Sequence, residues 1–308
     1  MRSFRKALNK PEYLLQPEVA LRRFLGRRKA HRGIETVQLP WKLPLEVNTS
    51  EAIGLAISHH GLFEMSLVEA IFRLTDPNDI FLDVGANIGF MSSVALAAGA
   101  KSVLAFEPNP PIFRELQRNA ALWTEAQPRI AARVTIRPDA ISDKAGTASL
   151  SIPKQAFVGN HGIASLEGVY VSEECVNFDV ATETLNRVFE QCGGPIGVLK
   201  IDIEGHELTA FGACEASLRS GRVRDILYED HDGLSSEVSQ FLAGTGYSLF
   251  GINKSLSGPV LLDGEAEVVR FAARSDENLN FLATREPERA RKRFSSRGFK
   301  CLSTKPTY

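Results

Sequence analysis

The stretch FLDVGANIGF, residues 81–90, decides the fold. An apolar run meets a carboxylate, Asp83, passes Gly85, Asn87 and Gly89, and turns apolar again at once. A buried strand that ends this way leads into a sharp turn. Glycine enters backbone conformations closed to other residues and lets the chain approach a neighbour with no Cβ in the way. Apolar spacing over 88–99 then predicts a helix whose first N–H groups face back over the turn.

Outward from this point the alternation repeats. FEMSLVEAIFRL (63–74) has helical spacing and stops at DPND. SVLAFEP (102–108) reads as a second strand. A helix follows from Pro110 to about Leu122, with Asn109 as N-cap and Pro110 where a missing N–H costs nothing. VTIRPDAIS (134–142) is a third strand, expected to fold back through DKAG as a hairpin with TASLSIP. ATETLNRVFE (181–190) reads as helix, GVLKIDIEG (197–205) as a strand, and His206 to Arg219 as helix. RDILYEDH (224–231) is a further strand, followed by helix 235–243 and strands near 247–252 and 258–272. Residues 34–60 read as short extended segments broken by prolines. Short apolar strands alternating with amphipathic helices mean βαβ units. The expected class is α/β: a doubly wound, Rossmann-like, mostly parallel sheet that binds ligands at its strands' carboxyl ends.

Composition narrows the setting. The 308 residues, 44% apolar and 24% charged, suit a soluble globular chain with one large core. Cys175, Cys192, Cys214 and Cys301 form no CxxC pair, which excludes zinc-ribbon spacing and suits a reducing cytoplasm. No secretory signal is visible and no apolar run reaches the roughly 18 residues of a membrane span, so a soluble cytoplasmic protein is expected. Residues 1–33 carry ten Lys/Arg against two acids, and 285–308 eight against two, although the net charge is −1. Basic ends on an acidic body suit an anionic membrane surface or polymer; the plainer reading is two solvated ends. Nucleic acid is disfavoured, because the arms lack a pattern of interleaved aromatics and the body is acidic.

Glu107 ends the second strand, 24 residues beyond Asp83. A carboxylate there accepts both hydroxyl protons of a ribose, so glycine turn plus glutamate reads as a nucleoside site. Gly85-Ala86-Asn87-Ile88-Gly89 is not the GxGxxG of pyrophosphate binders, and Asp83 beside it would repel a pyrophosphate but could help hold an ammonium group, directly or through water. That charge sign favours S-adenosylmethionine over a nicotinamide dinucleotide.

FLDVGANIGF, LAFEPNP, DAISDKAGTASL and LKIDIEGHE, in this order over about residues 40–285, resemble the FkbM-type methyltransferase family. The resemblance implies a class I S-adenosylmethionine-dependent fold and methyl transfer to hydroxyl groups, often of sugars or natural products. It implies a methionine-side loop of Asp83, Gly85, Ala86, Asn87 and Gly89. Glu107 would sit on the ribose with Pro108 and Asn109 beside it, and Asp139 and Ala140 near the adenine. With the two basic ends, which lie outside the resemblance, the expected organisation is a basic arm (1–33), an N-terminal extension (34–75), the methyltransferase domain (76–284) and a basic tail (285–308).

In KIDIEGHE, Lys200, Asp202 and Glu204 alternate with isoleucines, so on a strand they would share one face. Burying three such groups is costly unless they pair or open into a crevice. His206-Glu207 is no metalloprotease motif, because Ala210 stands where a second histidine is needed. A hydroxyl acceptor must lose its proton. His231, in YEDHDG, is the first candidate base since it titrates nearest neutrality; Asp202 or Glu204 comes next, Asp202 also being a cofactor-binding candidate, and Gly205 would let the chain turn beside the methyl donor. His161 is a further candidate in its loop. No metal site is firmly indicated, though Asp202, Glu204 and Asp230 could alternatively hold Mg²⁺. Two other functions stay open: a nicotinamide-dependent oxidoreductase on the same sheet, and a non-catalytic binding protein that keeps the fold.

Overall fold

A computed structural model describes residues 33–154, 166, 174–272 and 279–303. The N-terminal arm up to residue 32, His161 and residues 304–308 lie outside the described residues.

An antiparallel pair, β1 (Ile34–Gln38) and β2 (Pro44–Asn48), opens the chain, followed by helices α1 (Ala52–His60) and α2 (Met65–Leu74). Residues 52–60 are therefore helical rather than extended. Gly54 lies so close to the backbone of Asn48 that any Cβ there would overlap it, which seats α1 on β2. The central sheet is built from β3 (Ile80–Val84), β4 (Ser102–Phe106), β5 (Val134–Arg137), β9 (Ile196–Ile201), β10 (Val223–Glu229), β11 (Ser248–Ser255), β12 (Gly258–Leu262) and β13 (Asn280–Thr284). Its order is β12-β11-β13-β10-β9-β3-β4-β5. Strands β5, β4, β3, β9 and β10 run parallel; β13 is antiparallel to β10 and β11, and β12 to β11. The expected doubly wound, mostly parallel sheet is what the chain forms. Strand order reverses direction between β3 and β9, so the crevice at their carboxyl ends is the natural ligand position.

Helix α3 (Phe90–Ala98) follows β3, and α4 (Pro110–Ala126) with the single-turn α5 (Pro128–Ala131) follows β4. α3 is buried from Phe90 to Ala97, and its serines and alanines let it lie close under the sheet. The extension is part of the same core: Trp41 is fully buried and its Nε1 donates to Ser93 Oγ at 3.2 Å. Asn119 of α4 donates to Ile88 O at 2.9 Å and accepts from Glu46 N at 2.6 Å, tying extension, glycine loop and helix together.

Four local expectations change. β6 (Ala140–Ile141) and β7 (Gly146–Pro153) do not pair with each other. Both pair with β8 (Cys175–Glu183) in a separate three-stranded sheet, because β7 and β8 share an eight-residue antiparallel register. The helix read over 181–190 starts only at α6 (Leu185–Gln191), where the Thr184 hydroxyl accepts from Arg187 N. His206–Arg219 forms two short helices, α7 (Glu207–Gly212) and α8 (Glu215–Arg219), and α9 (Glu237–Gly244) precedes β11. Residues 265–272, read as strand, are helix α10 (Glu265–Ala272): Asp263 N donates to Glu267 Oε2, and only one of the two adjacent valines is buried, Val268 at 1% against Val269 at 60% exposure.

The stretch expected as a basic tail is largely packed. α11 (Pro287–Phe294) and α12 (Lys300–Ser303) lie against α2. Arg289 reaches Asp225 at 2.9 Å and Asp76 at 2.7 Å, and Arg293 also pairs with Asp76. The fully buried Glu69 accepts from Lys300 N and Cys301 N and pairs with Arg73 at 2.6 Å. These arginines are spent inside the molecule; Lys292 and Arg297 remain exposed. Among the described residues no helix is long and apolar enough to cross a membrane.

Candidate active site

The loop after β3 is stapled to both neighbouring strands. Gly85 N and Ala86 N both donate to Phe106 O of β4, at 3.0 and 2.9 Å, and Asp202 N, just beyond β9, donates to Val84 O at 3.1 Å. Gly85 has φ +76, and a Cβ built there would stand 1.9 Å from Asp202 O. Asn87 also occupies the left-handed region, at φ +52, with its Oδ1 accepting from Ile88 N at 2.7 Å. Gly89 serves a different purpose: its Cβ would meet Leu116 and Trp123 at 2.7 and 2.8 Å, so it permits the close approach of α4 to the start of α3.

Glu107 joins loop and helix. Its Oε2 accepts from Asn87 N at 2.8 Å and its Oε1 from Asn109 N at 2.9 Å. Each carboxylate oxygen keeps a second lone pair for another donor. Burial pushes Glu107 up to about 7, although both backbone bonds favour the ionised form. Asn109 precedes α4 as expected, but its side chain makes no capping hydrogen bond; Pro108 is half-buried.

Asp83 stands differently from its expectation. It is fully buried, and the ammonium beside it belongs to the chain itself: Lys200 Nζ lies 3.7 Å from Asp83 Oδ1, while Ser92 Oγ donates to Oδ2 at 2.6 Å. A direct grip on a ligand is therefore closed to it. Burial raises the pKa of Asp83, with Lys200 and Ser92 opposing. Lys200 Nζ donates to Gly85 O at 2.8 Å and stands 3.5 Å from Asp202, whose side chain is 40% exposed. Burial works against that charge, but Asp202, Asp83 and Glu64 outweigh it and raise the pKa of Lys200.

The expected shared face of Lys200, Asp202 and Glu204 does not form, because β9 ends at Ile201. Glu204 and Gly205 are left-handed, at φ +55 and +92, and swing the chain outward. Glu204 thereby stands exposed beyond the end of β9. Desolvation by the surrounding chain, then repulsion from Asp202, Glu229 and Glu207, push it up to about 7, with His231 opposing. His231 is 85% exposed and 3.7 Å from Glu229. Asp230 is turned into its own loop, where its Oδ1 accepts from Asp232 N. Among the described residues no three His, Cys, Asp or Glu side chains are placed to hold a metal, so Asp202, Glu204 and Asp230 form no such set.

Further round the sheet edge, Asp139 is paired with Arg137 at 2.8 Å, and that guanidinium lies 5.3 Å over the Phe106 ring. Ala140 is buried with Leu150 and Val180, which leaves only its backbone for a ligand. Buried His206 meets Ser142 Oγ at 2.9 Å and links the chain after β6 to the chain after β9. Two residues near the loop went unread in the sequence. Ser92 sits on the first turn of an apolar helix, with only its polarity as a signal. Glu64, left-handed at φ +49 just before α2, gives no signal at all.

Residues 83–249 match the methyltransferase FkbM domain family. No curated protein matches the chain. Among solved structures, the FkbM methyltransferase of Methylobacillus flagellatus KT is similar at 12% identity and a TM-score of 0.43, over 67% of this chain and 44% of that one. This chain thus spans less than half of that protein's length. A SAM-dependent methyltransferase of Agrobacterium tumefaciens is similar at 11% identity and a TM-score of 0.43, over 83% and 71% of the two chains. A SAM-dependent O-methyltransferase of Thermotoga maritima is similar at 11% identity and a TM-score of 0.37, over 72% and 64%. With more than half of its length inside the matched span, the chain belongs to the FkbM methyltransferase family.

Proposed function

We propose that the protein is an S-adenosylmethionine-dependent O-methyltransferase acting on a hydroxyl of a small acceptor, a sugar, glycan or natural product. One observation carries this reading. Glu107, a carboxylate anchored by two backbone N–H groups, stands buried at the end of β4 beside the glycine turn, where its free lone pairs suit the two hydroxyls of a ribose. The residues fit the cofactor: Gly85 gives a backbone approach that a Cβ would fill, and Glu107 has spare lone pairs for a ribose diol. When bound, the cofactor supplies an electrophilic methyl group.

The chain's own residues divide the remaining work. Loop 85–89 and Glu107 bind and orient, with Pro108 and Asn109 shaping the ribose end and Asp139 with the Ala140 backbone bordering the adenine end. Positioning is the dominant contribution in such a transfer. Glu204 takes the acceptor's proton, because a group that titrates near 7 is half ready at neutral pH and still basic enough to draw a proton. His231, solvated and beside Glu229, passes that proton to water. This order reverses the one expected from intrinsic acidity, and it rests on the desolvation of Glu204 and the repulsion it receives from Asp202, Glu229 and Glu207.

Calorimetric binding of S-adenosylhomocysteine and methylation of a panel of hydroxylated acceptors test the reading; a folded protein that binds no cofactor product would sink it. For the base, Glu204 works ionised, so the rate should rise with pH through a midpoint near 7. Glu204→Gln should lower kcat by roughly 10²–10⁴-fold and flatten that limb, with cofactor affinity unchanged. An unaltered pH profile in this variant transfers the role elsewhere.

A further inference from the structure

The Lys200 ammonium stands where five pieces of chain converge: β9, which carries it; β3 through Asp83; the loop through Gly85; α3 through Ser92; and the exit from β9 through Asp202. Lys200 is 5% exposed and Asp83 is fully buried. A buried ion pair is weak evidence of a stabilising purpose, because apolar side chains of similar volume often do as well. The distances also argue against simple neutralisation. The shortest contact of Nζ is the Gly85 carbonyl at 2.8 Å, whereas the two carboxylates stand at 3.5 and 3.7 Å.

That carbonyl belongs to the peptide between Gly85 and Ala86. Its N–H, on Ala86, donates to Phe106 O at 2.9 Å. Both ends of one peptide are therefore clamped, the oxygen by β9 and the N–H by β4. The next residue, Asn87, is held left-handed and bonded to Glu107. Fixing that peptide fixes where the loop's remaining groups point. We propose that Lys200 is a positioning residue for the cofactor: by locking the Gly85 peptide it holds loop 85–89 in the shape that receives the methionine end of S-adenosylmethionine. The inference rests on the cofactor reading above. It also gives Asp202 an orientation, with one oxygen facing Lys200 and the side chain partly exposed.

Two ligands separate this role from a structural one. S-adenosylhomocysteine carries the amino-acid end, and 5′-methylthioadenosine lacks it. Lys200→Met keeps the length of the side chain and removes the ammonium. Its Kd for S-adenosylhomocysteine should rise at least about tenfold, the usual scale for losing a charge-assisted hydrogen bond, while its Kd for 5′-methylthioadenosine hardly moves. The Asp83→Asn/Lys200→Met pair leaves no uncompensated buried charge, so its Tm should recover toward the parent's while the affinity loss persists. If Lys200→Met fails to fold, the double variant compared with Asp83→Asn alone gives the same reading. Recovery of both Tm and S-adenosylhomocysteine affinity in the double variant would reduce Lys200 to a counter-ion and overturn the proposal. Equal loss of both ligands would overturn it too, by showing general collapse of the site. A parent protein that binds neither ligand removes the cofactor reading itself, an outcome distinct from either.

Discussion

Gly85→Ala should abolish cofactor binding and lower Tm by roughly 10 °C, as expected for a loss of about 4 kcal/mol in a domain of this size. The new Cβ would stand 1.9 Å from the Asp202 carbonyl oxygen and 3.0 Å from its carbon. Those atoms are backbone, and they are pinned, because Asp202 N donates to Val84 O at the end of β3. To make room, β3 and β9 must part at the point where the loop begins. Left-handed φ adds a conformational cost of its own. Gly205→Ala is the internal control. It shares the positive φ, yet nothing lies within 4 Å of its Cβ position, so only the conformational cost of about 1 kcal/mol should appear. Thermal unfolding of the two variants with calorimetry on S-adenosylhomocysteine checks this. A Gly85→Ala protein that matched Gly205→Ala in both would show that the loop relaxes freely.

That contrast marks how far the sequence could be read. The glycine turn, the strand before it and the glutamate at the end of β4 were legible because their signals are local: a strand, a turn and a charge within 24 residues. What the glycines do was only partly legible. Gly85 answers to Asp202 and Gly89 to Leu116 and Trp123, all brought near by the fold. Asp83 shows the limit more sharply. Its charge invites a ligand's ammonium, but the ammonium that meets it comes from Lys200, on a strand distant in sequence and adjacent in space. The C-terminal arginines follow the same logic. Counting charge predicts a basic tail, whereas the acids that absorb Arg289 lie 213 and 64 positions earlier. Alternation in KIDIEGHE carried no information on where β9 stops, and so placed Glu204 on a face it never joins.

Glu107→Ala is expected to raise the Kd for S-adenosylhomocysteine by about 100-fold, from the loss of two charge-assisted hydrogen bonds to ligand hydroxyls. It should also cost stability, because Asn87 N and Asn109 N lose their acceptor. These two effects need separating, since a slackened loop weakens binding without any ribose contact. Glu107→Gln helps: it keeps the volume, but its amide can offer only one acceptor oxygen where the structure uses two. It should therefore bind nearly as poorly as alanine, despite filling the space. The decisive comparison uses the 2′-deoxy analogue of the same ligand, measured at pH 8 so that Glu107, which titrates near 7, is ionised in the parent. Losing the hydroxyl should cost the parent protein at least about tenfold, and should cost Glu107→Ala almost nothing, because the partner is already gone. Equal penalties in the two proteins would mean that Glu107 never touches the ribose and serves only as a clip between loop and helix.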